Sequence, residues 1–328
     1  MTSNKALAGR RALLIASAGL LAAPRIPAAQ GAWPGSTPVT IILPYAPGGA
    51  TDVVGRLVLD GLTQRIGGTF VWEHRPGAST SLAARHVARA RPDGHTLLLG
   101  TIATFTMTPI ALRNPGFDPL TDFEHVTQVC ATQSLLVGHP RWGSLQQMVE
   151  AAKARPGQLS YATWGVGTTA HLPMLLFMER AGIEMLHVPY NGAPPALTDT
   201  IAGRTDCMFA LVAACRGHVE GGRLKGLGAA SEERVRIFPD IPTLGEQGFP
   251  IVNNGWYSIQ APVGTPAPIR ARILEAMTAH FAEPRVIEFM AGQGLAPEQP
   301  GEAPLRERIA RELAQNRVLM ARAGVVAE

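Results

Sequence analysis

"LPYAPGGATD", Leu43 to Asp52, carries an apolar strand into a proline, two adjacent glycines and a threonine–aspartate pair that opens a helical pattern. Val39 to Leu43 reads as a buried strand, and Val54, Leu57, Val58 and Leu62 then mark one face of a helix. Gly48 and Gly49 let a partner approach the main chain where other residues would obstruct it. Thr51 is the expected N-cap, so the helix would present unpaired N–H groups and a partial positive charge beyond the end of the strand. That arrangement suits a carboxylate or a phosphate.

The same grammar continues on both sides. Phe70 to Glu73 reads as a strand, Ser79 to Ala90 as a helix closed by the Pro92-Asp93-Gly94 turn, and Thr96 to Leu99 as a strand. It restarts with apolar Leu135 to Val137, a Ser144/Gln147 capping box, a helix through Ala154 and a strand at Leu159 to Thr163. Thr168 to Ala181 and Ala196 to Ala202 read as helices, and Met185 to Val188 and Cys207 to Leu211 as strands. Trp256 to Gln260 is extended, and Ile269 to Phe281 and Pro304 to Ala321 are helical. Strands alternating with helices predict two α/β units, each a doubly wound, mainly parallel sheet. No linker separates them, so strands are expected to cross between them, and ligands in such folds sit beyond the carboxyl ends of strands.

The N-terminus has a separate purpose. Lys5, Arg10 and Arg11 precede the apolar run Ala12 to Ala23, and small residues follow around Pro27, Ala28 and Ala29. This is the layout of a secretory signal peptide over 1–28, and the run falls short of the ~20 apolar residues of a spanning helix. The expected location is therefore the periplasm. That leader holds Lys5, Arg10, Arg11 and Arg25 and no acid, so the 29 basic residues of the whole chain fall to 25, equal to its 25 acids. A neutral mature chain without a basic block has no electrostatic footprint for nucleic acid or anionic membrane. Cys130, Cys207 and Cys215 lack metal-ligand spacing and leave room for one disulfide at most.

A second glycine turn, "YATWGVGTTAHL" from Tyr161 to Leu172, repeats the design of the first, with a helix expected to open at Thr168 or Thr169. Its Gly165 to Ala170 also fits G-x-G-x-x-A, the dinucleotide fingerprint. The ribose-binding acid should end the next strand, whereas Glu184 precedes the strand Met185 to Val188. No G-x-S-x-G elbow, His-Glu-x-x-His motif or P-loop occurs. Of nine histidines, only His171 adjoins a glycine turn, so an exported enzyme using His171 and nearby threonines is the alternative from another class. A dinucleotide-binding oxidoreductase ranks behind it.

The ordered stretches "YAPGGATD", "RPGAST", "ARPDGHTLLLGT", "GVGTTAHL", "VPYNGAPPALTDTIAGRTD", "PDIPTLGEQG" and "APVGTP" resemble the Bug-type solute receptors of tripartite tricarboxylate transport systems, over nearly the whole mature chain. The resemblance implies a two-lobed, Venus-flytrap binding protein of type II, without catalysis, cofactor or metal. Its lobes would be 32–132 plus 253–328, and 133–252, with crossing strands near Leu135 to Gly138 and Trp256 to Gln260. It implies a small organic carboxylate gripped by main-chain amides. The implied ligand positions are Tyr45, Pro47, Gly48, Gly49, Asp52, Ala78, Ser79, Thr101, Trp164, Gly167, Thr168, Thr169, His171, Asn191, Gly192 and Asp206. The expected partners are membrane transporter subunits or a sensor ectodomain, engaged by a monomer. Five positions depart from the family pattern: Ser79 and Thr80 replace a glycine pair, Thr168 a serine, Trp164 a small residue, and Asn191 a frequent lysine.

Overall fold

The computed structural model describes residues 33–322, so the signal peptide read at 1–28 lies outside the described residues. Strand β1 (Val39–Leu43) lies between two parallel neighbours, β2 (Phe70–His74) and β3 (Thr96–Thr101). Helices α1 (Ala50–Ile66) and α2 (Ser81–Ala88) make the crossovers that parallel pairing demands. Ile41, Ile42 and Leu43 are at most 1% exposed, and burying each side chain is worth about 1.5–3 kcal/mol. The chain then takes a π-type turn over Ala103–Met107 and a short helix, α3 (Thr108–Ala111).

Strand β4 (Phe123–Thr132) enters the same sheet antiparallel to β10 (Gly255–Pro262), which in turn runs antiparallel to β3. With β11 (Leu295–Pro297) at the edge, the order is β11-β4-β10-β3-β1-β2. Strands β5 (Ser134–Gly138), β6 (Ser160–Thr163), β7 (Leu186–Pro189), β8 (Cys207–Leu211) and β9 (Lys225–Ala229) form the second sheet in the order β7-β6-β8-β5-β9. Both sheets are mixed. The parallel pairs follow from the alternation in the sequence, while β4, β10, β11, β5 and β9 add antiparallel returns.

Around the second sheet lie α4 (Leu145–Ala154), α5 (His171–Ala181), α6 (Ala193–Ile201) and α7 (Val212–Glu220). Ser144 caps α4 as its sequence predicts, accepting from Gln147 N at 3.1 Å, although the Gln147 side chain reaches back to Gly143 N rather than to Ser144. Around the first sheet lie α8 (Ala267–Phe281), α9 (Pro284–Gly292) and α10 (Glu302–Arg322). Each sheet has its own apolar core, one built from residues between Leu135 and Ile251, the other from Val39–Cys130 and Tyr257–Leu295.

Two connections join the units. β4 passes into β5 through Gln133 alone, whose N–H donates to Gly294 O at 2.9 Å and whose carbonyl accepts from Val212 N at 3.0 Å. The return runs between Ala230, which donates to Ser134 O, and Asn253, which donates to Ala230 O, both at 2.9 Å. The second crossing thus precedes Trp256 to Gln260, which belong wholly to the six-stranded sheet because β10 pairs on both sides with β3 and β4.

Candidate functional site

A narrow cavity lies between the two sheets, with about 40 Å3 of interior space open to water-sized molecules. The six-stranded side supplies Tyr45, Gly49 to Thr51, Thr101, Ile102, Thr132 and Gly255 to Tyr257. The five-stranded side supplies Trp164, Thr169, Ala193, Pro194, Leu211 and Ala214. None of these side chains carries a charge, so any positive potential comes from helix starts. Helix α1 supplies the most open one: its N-cap is Gly49, in extended conformation at φ −102° and ψ −174°, and no side chain caps it. Asp52 N donates to Gly49 O at 3.1 Å, but the amides of Ala50 and Thr51 lack intrahelical partners and face the cavity with the positive end of the dipole. Thr51, expected as the N-cap, lies two residues inside the helix; its hydroxyl is 3.0 Å from the Tyr257 hydroxyl, and both are buried.

The loop before α1 is held by its own side chains. Gly48 N–H donates to Asp52 Oδ2 at 2.6 Å, Asp52 Oδ1 lies 3.5 Å from His74 Nε2, and His74 Nδ1 is 2.8 Å from Tyr45 O. The Gly48 amide is thereby committed to Asp52, leaving the amides of Gly49, Ala50 and Thr51 for a ligand. Thr101 also has a local duty, accepting from Thr104 N at 3.3 Å where the π-type turn begins.

The two sides meet closely around the cavity. A Cβ built on Gly48 or Gly49 would sit 3.6 Å from Pro194, and one on Gly192 would sit 3.3 Å from Ala46 Cβ. Gly167, at φ +69°, is more constrained: a Cβ there would come within 2.7 Å of Ala111 and 2.8 Å of Met320. Ser79 Oγ donates across the cleft to Val166 O at 3.2 Å, and Asn253 Nδ2 donates to Thr169 O at 2.8 Å. Burial pushes the Tyr45 phenol up to about 12, only partly offset by the polar groups of Thr101 and Trp164, so it stays neutral.

The segment carrying Ser79 is strained. Ala78, Ser79 and Thr80 have φ of +44°, +48° and +81°, a left-handed run for which glycine is the unstrained choice. Thr108 secures it, donating to Ser79 O at 2.5 Å and lying 3.3 Å from the Thr80 hydroxyl. Strain of this kind persists where surrounding contacts over-determine the backbone.

Of the positions singled out in the sequence, Tyr45, Gly49, Thr101, Trp164 and Thr169 line the cavity. Ala78, Ser79 and Asn191 border an adjoining cleft that shares Tyr45 and Trp164. Pro47 and Gly48 lie on an exposed tip, and Gly192 is buried against Ala46. Gly167, Thr168 and His171 stand behind the wall, because the turn closes on itself. Thr168 Oγ1 donates to Gly165 O at 2.8 Å and His171 Nδ1 accepts from Gly167 N at 3.0 Å, so α5 opens at His171 rather than at Thr168 or Thr169. His171 is 7% exposed and stacks 4.4 Å from His187; burial and that neighbour push its pKa down to about 4. Asp206 is remote from the cavity, ion-paired with Arg141 and accepting from Ser160 N at 2.8 Å.

Sequence reading missed the floor and the far wall, where Thr132, Gly255, Tyr257, Leu211 and Ala214 converge. The "GGAT" stretch signalled one helix start; "LVAAC" carries no glycine and no cap to signal another.

Two mixed α/β units closing on an uncharged cavity fronted by helix starts define a two-lobed solute-binding protein. Residues 54–325 match the tripartite tricarboxylate transporter family receptor, and the chain belongs to that family. A solved structure of the R. palustris protein Rpa4515 with adipate is 28% identical, with a TM-score of 0.87 over 90% of this chain and 100% of that one. MatC of Rhodopseudomonas palustris, solved with bound malate, is also 28% identical, with a TM-score of 0.82 over 88% of this chain and 99% of that one. The periplasmic binding protein BugD, again 28% identical, gives 0.85 over 89% and 99%.

Proposed function

We propose that this chain is a periplasmic solute receptor that closes on a small organic carboxylate and presents the loaded form to a transporter or a sensor. The observation that carries this reading is the uncapped start of α1 behind Gly49, opening into a cavity without a charged side chain. Helix N-termini favour anions through their free amides and dipole. Neighbours solved with adipate and malate support a carboxylate as that anion.

In this reading the lobes are 32–132 plus 253–328, and 133–252, a division supported by the membership of the two sheets. The ligand contacts are Gly49, Thr101, Tyr45, Trp164 and Thr169, joined by Thr51 and Tyr257, while Ser79 and Gly167 serve closure. The leader 1–28 takes the chain to the periplasm, where it works as a monomer without cofactor or catalysis. His171 supports no rival chemistry, since its Nδ1 is occupied by Gly167 N–H and it lies outside the cavity lining. A thermal-shift screen of mono-, di- and tricarboxylates tests the reading. At least one acid should raise the melting temperature in a concentration-dependent way and be recovered unchanged. No shift with any acid, or conversion of the acid, would overturn it.

A further inference from the structure

Most of the cavity wall is apolar: Ile102, Leu211, Ala214, Pro194 and the rings of Trp164 and Trp256 surround a small polar end at α1. The other helix starts that reach the cavity are poor anion sites. Helix α6 begins with Ala193-Pro194-Pro195, and prolines have no N–H to offer. The first amide of α7, Val212 N, is already given to Gln133 O at 3.0 Å. Among the polar side-chain atoms of the cavity lining, only the Thr132 hydroxyl is buried without a partner, and it is neutral. A second carboxylate would thus be desolvated with no counter-charge and few donors, which burial penalises heavily.

Trp164 has a particular place in this wall. It lines both the cavity and the adjoining cleft, so it stands between the two spaces. Tyr45 borders both spaces as well, so losing the bulk of the indole would leave Tyr45 as the remaining shared wall and enlarge the room beside it.

Resting on the carboxylate reading above, we infer that the cavity selects an acid with one charge and a flat, apolar body, and that Trp164 sets the size of that body. The carboxylate meets the amides of Gly49, Ala50 and Thr51, beside the Thr51–Tyr257 hydroxyl pair. The body lies among Ile102, Leu211 and Trp164. Apolar enclosure with a few convergent polar groups is the usual construction of a small-molecule site.

The test is calorimetry on the wild-type protein with two matched pairs: hexanoate against adipate, and benzoate against terephthalate. Each monoacid should bind at least tenfold tighter than the diacid of the same framework. Trp164→Ala should weaken benzoate at least tenfold and shift preference toward 2-naphthoate, a change of specificity that a merely destabilised protein would not show. Trp164→Phe, which keeps an aromatic wall, covers the case in which the alanine variant fails to fold; it should retain a preference for benzoate over 2-naphthoate. Diacids binding as tightly as the monoacids would overturn the inference while leaving the carboxylate reading intact. An unchanged benzoate-to-2-naphthoate ratio in folded Trp164→Ala would remove Trp164 from the specificity. Binding of none of the five acids would overturn the inference, and the carboxylate reading would then be decided by the thermal-shift screen alone.

Discussion

Replacing Gly49 separates recognition by the main chain from recognition by side chains. Its φ of −102° and ψ of −174° are open to any residue, so neither alanine nor valine strains the backbone. A Cβ there would sit 3.6 Å from Pro194 Cδ, an ordinary contact, and Gly49→Ala should fold and close. The γ carbons of valine extend about 1.5 Å further, so Gly49→Val must press on Pro194 or hold the lobes apart. In both variants the new side chain stands where the acid approaches the amides. A hydrogen bond to a charged group is worth about 1.5–3 kcal/mol, and 1.4 kcal/mol is tenfold in affinity. Displacing one such bond in Gly49→Ala should weaken the best carboxylate about 10- to 150-fold, and losing two in Gly49→Val about 100-fold or more. Calorimetry reads the affinity, and a thermal melt without ligand should place both variants within about 3 °C of wild type. A folded Gly49→Val with unchanged affinity would refute main-chain recognition at α1.

Further outcomes follow from the same geometry. Ser79→Gly relieves a left-handed residue but removes the bond to Val166 O, so stability should change little while affinity falls about fivefold, the size of one neutral hydrogen bond; unchanged affinity would dismiss Ser79 as a closure contact. Burial pushes His171 and His125 down to about 4, below the ~6.5 of an unfolded histidine, so the native state binds fewer protons. Their contribution is full above pH ~6.5 and is lost as pH falls toward 4, on the order of 2 kcal/mol each by pH 5. Urea melts at pH 7.5 and 5 should show that loss, and His171→Asn should lessen it; equal stability at the two pH values would count against buried neutral histidines. Cys130, Cys207 and Cys215 are free and buried, and burial raises all three thiols. Thiol labelling should find none in the native protein and three after denaturation, whereas a count of one after denaturation would mean a disulfide.

Local signals made the first half of the site legible. An apolar run ending in two glycines places β1, its turn and α1, because each step is decided by neighbours in sequence. The Ser144 cap was readable for the same reason. The start of α5 was not, since Thr168 and His171 spend their polar groups on the turn rather than on the helix. Pro194 and Pro195 mark the first turn of α6, where their missing N–H groups cost nothing, although the sequence reading began that helix at Ala196. The cavity floor is a different matter: Tyr257 meets Thr51, and Gly255 meets Thr132, only because β10 returns between β3 and β4. Such pairings are set by sheet order, which a single sequence does not display. Ser79 and Thr80 stood out as departures from the family's glycines, but their strain became visible only as backbone angles.

The central claim is that a carboxylate is held by the start of α1 between closed lobes. A crystal structure of the protein grown with its tightest acid tests it most directly. The account predicts carboxylate oxygens at about 2.7–3.2 Å from the amides of Gly49 to Thr51, with the rest of the acid enclosed between Ile102, Trp164 and Leu211. An acid bound outside this cavity, or lying in it with its carboxylate away from α1, would contradict the account.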